Sequence, residues 1–189
     1  MKSSAIKKAK RRFRQATESL PLLTKLQLGV AIDDFEQAWF GFLGTLNSIP
    51  EILKTGSRED AKSRQWFAAK ERLVRTDPML RYLFHARAVD FHGDERLLKL
   101  VTSEGTPADV DYGFDSPKAY SLNLHIPKEV QKIRIWYEPQ PVKDKNGNIF
   151  DPPSTFLQKD LFNRSPVGMA GSALYFYKSL IVEAETFSS

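Results

Sequence analysis

Apolar residues in the first hundred positions recur at helical intervals. In the stretch TKLQLGVAIDDFEQAWFGFLGTLNSIPEILKTG, Leu28, Ile32, Phe35, Trp39, Phe42 and Leu46 stand three or four apart, the spacing of a buried stripe on a helix. Pro50 is expected to kink or end that helix, and Gly56 to stop it. Ser57 then reads as the cap of a second helix, REDAKSRQWFAAKERLVR, with Ala61, Trp66, Phe67, Leu73 and Val74 partly buried. Asp77-Pro78 is the start signal of a third helix, which should run to His92 and end at Gly93, with a short helix from Asp94 to Val101 after it.

From Ser103 the pattern changes. SEGTPADVDYGFDSPK is a loop by its Gly, Pro, Asp and Ser content. AYSLNLHIP and KIRIWYE alternate apolar and polar positions as half-buried strands do, and Asn146-Gly147 marks a hairpin turn. Prolines 139, 141, 152 and 153 give this sheet ragged edges. GMAGSALYFYKSLIVEAETF returns to helical spacing through Leu174, Tyr177, Ile181 and Ala184. The expected fold is mainly α: a helical bundle with a small antiparallel β appendage, closed by a C-terminal helix. Three parts are anticipated: a basic arm over 1–20, the bundle over 21–102, and the loop, sheet and last helix over 103–189.

Composition narrows the function classes. The 189 residues, 41% hydrophobic, suffice for one core of ordinary size. No cysteine is present, which removes disulfides, thiol nucleophiles and thiolate zinc sites and fits a reducing compartment. No run of eighteen apolar residues occurs, and the basic start lacks the apolar segment of a secretory signal, so a cytoplasmic protein without membrane association is expected. The net charge of +5 comes largely from Lys2, Lys7, Lys8, Lys10, Arg11, Arg12 and Arg14, which all precede the first acid, Glu18. Such a cluster either attracts phosphates or acidic head groups, or is a solvated, frayed terminus.

Candidate chemistry is concentrated in RYLFHARAVDFHG, which holds two of the three histidines. On a helix, Arg81, His85, Ala88 and His92 fall within about 60° of one another. Arg87 falls instead among Leu80, Leu83, Phe84 and Phe91. A permanent cation there must snorkel outward, pair with an acid such as Asp33, Asp34 or Glu36, or face an interface. Arg87 and His92 suit RNA chemistry, in which arginine neutralises the phosphate and histidine moves the proton of a ribose 2′-hydroxyl. On a straight helix they diverge by about 140°, so they converge only where the helix ends or where two chains meet. The structural alternative makes His92 a helix C-terminal histidine favoured by the macrodipole.

The bundle with arginine, four residues and histidine in RAVDFH resembles the HEPN superfamily over about residues 25–100. That resemblance implies a homodimer whose paired motifs form one site, and metal-independent RNA cleavage or RNA binding. It assigns Arg87 to the scissile phosphate and His92 to acid–base chemistry; Arg81 and His85, from the polar ladder of the same helix, are the candidates for further phosphate or RNA contacts. Family members often act beside an antitoxin or other protein partner, and some have lost catalysis. The residue after the arginine is polar in active members and is Ala88 here, and the β-containing tail is an addition to the family bundle. The alternative is a non-catalytic, dimeric interaction module.

No cofactor or metal is expected. His85 and His92 lack a third ligand at helical spacing, since Arg81 and Val89 bind no metal. Asp109, Asp111 and Asp115 are oxygen-rich, but a calcium loop would need glycine and glutamate where Phe114 and Tyr120 stand. Lys132, Arg134 and Trp136 could stack on single-stranded bases, yet as one face of a strand opposite Ile133, Ile135 and Tyr137 they read first as its exposed side.

Overall fold

The computed structural model of the chain describes residues 1–27, 31–88, 96–104 and 133–187. It is mainly helical, with small antiparallel strand pairs and a C-terminal helix. Leu28, the loop after Glu104, the AYSLNLHIP strand and His92 lie outside the described residues.

Helix α1 spans Ser3–Gln27 and α2 spans Ile32–Ser57. The expected stripe on α2 is buried at Phe35, Trp39, Phe42 and Leu46. Pro50 neither ends the helix nor marks its limit, because Ile49 and Leu53 on either side are fully buried and hold the backbone helical. Gly56 is not a stop signal either. A methyl group there would overlap the Ala5 side chain, so glycine lets the start of α1 lie against the end of α2.

The largest departure concerns the N-terminus. Residues 1–20, read as an arm, belong to the bundle: Ala5, Ile6, Ala9 and Ala16 are buried, and α1 packs along α2 and α5. The small alanines permit close helix approach while the cations occupy the remaining faces. The charge run hides this face, because within the basic part of α1 Ile6 is its one large buried apolar residue and the others are alanines.

Helix α3, Ala61–Thr76, begins one turn later than expected. Its cap is Asp60, whose carboxylate accepts from the backbone N–H groups of Lys62 and Ser63, whereas Ser57 closes α2. Ala61, expected to be partly buried, is exposed. Helix α4, Pro78–Ala88, is launched by Asp77, which accepts from Leu80 N–H at 2.9 Å. The second Asp77 oxygen accepts from Leu157 N–H at 2.7 Å, so one buried carboxylate both starts α4 and fixes a distant turn. Helix α5, Pro166–Glu185, is capped by the Ser165 hydroxyl, and Leu174, Tyr177, Ile181 and Ala184 are all buried.

Where the sequence pattern anticipates a helix over Asp94–Val101, the described part holds a strand from Leu98, and residues 94 and 95 lie outside the described residues. Strand β1, Leu98–Glu104, pairs antiparallel with β2, Ile133–Pro139, in a register running from Leu98 opposite Pro139 to Glu104 opposite Ile133. Buried Leu98, exposed Lys99 and half-buried Leu100 show the two-residue period that decides it. Tyr137 stacks on Phe35 at 4.5 Å, seating this pair on α2. Strands β3 (Val142–Lys143) and β4 (Ile149–Phe150) form the hairpin predicted at Asn146-Gly147, with Gly147 at φ 85°. A third pair, β5 (Thr155–Phe156) and β6 (Lys159–Asp160), turns through Leu157 and Gln158, both with positive φ.

Candidate phosphate-binding groove

Two sides of α4 carry the chemistry read from the sequence, and they have different surroundings. Arg81 and His85 meet the β3–β4 hairpin. The His85 ring stacks on Phe150 with centroids 3.6 Å apart and planes 11° from parallel, and the Arg81 guanidinium lies 5.4 Å from the Phe150 ring centre. Burial holds the His85 pKa below its ordinary value, with Asp144 opposing and Arg81 reinforcing the shift. Both residues therefore take part in packing. Tyr82, next on the helix, donates its hydroxyl proton to Gln140 O at 2.8 Å and binds the strand that leads into the hairpin.

Arg87 is exposed and points away from that hairpin into a groove between α1, α2 and the end of α4. The helical wheel places it among apolar residues; of these Leu80 and Leu83 are buried, as is Ala86, Phe84 is half exposed, and Phe91 lies outside the described residues. Arg87 thus follows directly on the last buried residue described in the helix. Two of the three acids named as its structural partners, Asp33 and Glu36, are engaged elsewhere, and among the described residues Asp34 forms no ion pair with it. Arg96 binds Asp33 at 2.9 Å and Glu36 at 3.6 Å, and Glu36 also accepts from Leu98 N–H. Burial raises the pKa of Glu36 despite these contacts. Among the described residues, Arg87 makes no ion pair.

The groove has a volume of about 660 Å³. Lys2, Lys8 and Arg12 line it from the α1 side, Ser48, Glu51 and Thr55 from α2, and Arg87 from α4. Four cations thus face one carboxylate, Glu51. Lys8 and Arg12 are one turn apart on the same flank of α1. Arg12 donates to Gln15 at 3.0 Å, and Lys2 pairs with exposed Glu59 at 2.5 Å, whereas Lys8 makes no ion pair among the described residues. The buried Asn47 amide donates to Leu83 O at 3.1 Å and fixes α4 on α2 beneath Arg87. The sequence reading missed Lys8 and Arg12 as partners of Arg87 because it treated the basic segment as an arm. The Ala5-Ala9-Ala16 spacing is the signal that could have placed them on a packed helix.

Among the described residues no group of histidine and carboxylate side chains is arranged to hold a metal ion, and no helix is long and apolar enough to cross a membrane. No family model matches the chain, and comparisons with curated proteins and with solved structures give no match.

Proposed function

We propose that this is a cytoplasmic, HEPN-like protein that binds RNA through the phosphate backbone, with Arg87 as the central contact of the groove between α1, α2 and α4. The observation that carries the reading is the exposed Arg87 facing Lys8 and Arg12 across a groove that holds a single acid. No aromatic residue lines it among the described residues, so it offers charge and hydroxyl groups rather than stacking. That chemistry suits the sugar–phosphate backbone more than the bases.

The cleaving form of this proposal adds His92. The 2′-hydroxyl would lose its proton to an imidazole as its oxygen attacks phosphorus. The 5′-oxygen would leave with a proton supplied by an acid, and Arg87 would stabilise the extra charge on the phosphate. The test is fluorescence anisotropy of a labelled single-stranded RNA over a salt series, together with a cleavage assay on the same RNA. Arg87→Ala and Lys8→Ala/Arg12→Ala should weaken binding and flatten the salt dependence, by about 0.7 in slope per lost phosphate contact. Substitution of Lys62 and Arg64 on α3 should change neither. Unaltered binding in the groove variants would refute the reading, and cleavage that survives His92→Ala would remove the catalytic form alone.

A second reading, a non-catalytic dimeric module, draws on Phe84, which is 46% exposed on the same helix. It predicts that Phe84→Ser converts a dimer to a monomer in a solution mass measurement. Arg87→Ala would then leave RNA binding unchanged.

A further inference from the structure

A second cleft lies on the β side of the molecule, and its chemistry differs from that of the basic groove. It occupies about 720 Å³ between β1, the start of α2 and the β3–β4 hairpin. Leu98 and Val142 form a buried floor, while Leu100, Pro141 and Ile149 form apolar walls. Ile149 is 66% exposed although it is a large aliphatic residue in a strand. The hairpin wall is held from behind by the Phe150–His85 stack, and the strand entering it is held by Gln140 N–H donating to Leu97 O at 2.8 Å.

Three cations stand at the rim: Arg96, Lys99 and Lys143. Arg96 is neutralised by Asp33 and Glu36. Lys99 and Lys143 make no ion pair among the described residues. Glu138, opposite Lys99 in the β1–β2 register, accepts from the Trp136 indole, so among the described residues the two ammonium groups beside the apolar floor are not bound to an acid. Small-molecule sites have this composition, with mostly apolar walls, a few polar groups that orient the ligand, and volumes of roughly 300–1,000 Å³.

We propose that this cleft binds a small amphipathic anion, its apolar body on Leu98, Val142 and Ile149 and its carboxylate or phosphate between Lys99 and Lys143. Burial of the apolar body supplies affinity, and the two ammonium groups select the charged head. Polyanionic RNA is a poor fit because the walls would be left against charged backbone.

The experiment is an amide-resolved NMR titration of the full chain with decanoate and, separately, decyl phosphate, with decyltrimethylammonium as the oppositely charged control. Saturable shifts should cluster at Leu98–Leu100, Val142–Lys143 and Ile149 for one or both anions, and the preferred one identifies the head group. Lys99→Ala/Lys143→Ala should weaken that binding about tenfold or more, the scale of losing charge-assisted contacts. Ile149→Ser should weaken it while preserving preference for the anion. Both sets of substitutions are at exposed positions, and an unchanged spectrum away from the cleft establishes that the fold is retained. Absence of saturable binding by either anion would overturn the proposal. So would shifts centred elsewhere, equal affinity for the cationic amphiphile, or full affinity in the double-lysine variant.

Discussion

The two sides of α4 bear the same kinds of residue and have opposite fates. On one side the half-buried His85 ring stacks on Phe150 and the exposed Arg81 guanidinium lies against the same ring, so both are engaged in seating a two-stranded hairpin. On the other, Arg87 emerges past the last buried residue of the helix into a groove that already contains Lys8 and Arg12. Residue type alone does not separate structural from available charge. What separates them is the neighbouring element: an aromatic hairpin on one side, and on the other a helix whose alanine face brings cations close without neutralising them.

That contrast can be broken most severely at its common foundation. Asp77→Ala removes the acceptor of both Leu80 N–H and Leu157 N–H, and should cost about 3 kcal/mol in urea unfolding. A loss under about 1 kcal/mol would mean that α4 does not depend on this carboxylate. Phe150→Ala attacks one side only. It should cost about 2 kcal/mol, through lost ring packing on His85 and Arg81, and leave RNA affinity unaltered. A fall in affinity in that variant would show that the hairpin side also contributes to binding. Arg87→Ala should do the reverse, changing stability by no more than about 0.5 kcal/mol because the side chain is exposed.

The smallest effect is electrostatic. Because burial depresses the His85 pKa in the folded state, the unfolded chain binds that proton more readily. The stability associated with neutral His85 is complete above its ordinary value of 6.5 and is lost as the pH falls from there through the lower folded value. A melting-temperature series from pH 7.5 to 5 should therefore slope downward more in the native protein than in His85→Gln. Identical slopes would place His85 in solvent rather than beneath the hairpin.

The sequence carried some parts of this arrangement openly. The α2 stripe, the Asp77-Pro78 start and the Asn146-Gly147 turn could be read because large apolar side chains, a cap before proline and a glycine tolerant of positive φ are local signals. The Leu157-Gln158 turn has no such residue and is stabilised by Asp77, eighty positions away in sequence, so local reading had no hold on it. Strand β1 was mistaken for a helix because LKLV is too short for periodicity to separate the two, and its strand partner is remote. Arg87 was identified as unusual from the wheel, but its surroundings depended on α1. A helix whose inward face is mostly alanine, with Ile6 and Leu23 far apart on it, and whose other faces carry lysine and arginine gives little hydrophobic signal of its own packing.

The most direct test of the central claim is a side-by-side comparison of Arg81→Ala and Arg87→Ala in RNA binding across a salt series. The account predicts that Arg87→Ala weakens binding roughly five- to tenfold at low salt and flattens the salt slope, while Arg81→Ala matches the native protein in both. Equal losses from the two variants, or none from Arg87→Ala, would contradict the division of α4 into a packed side and an anion-facing side.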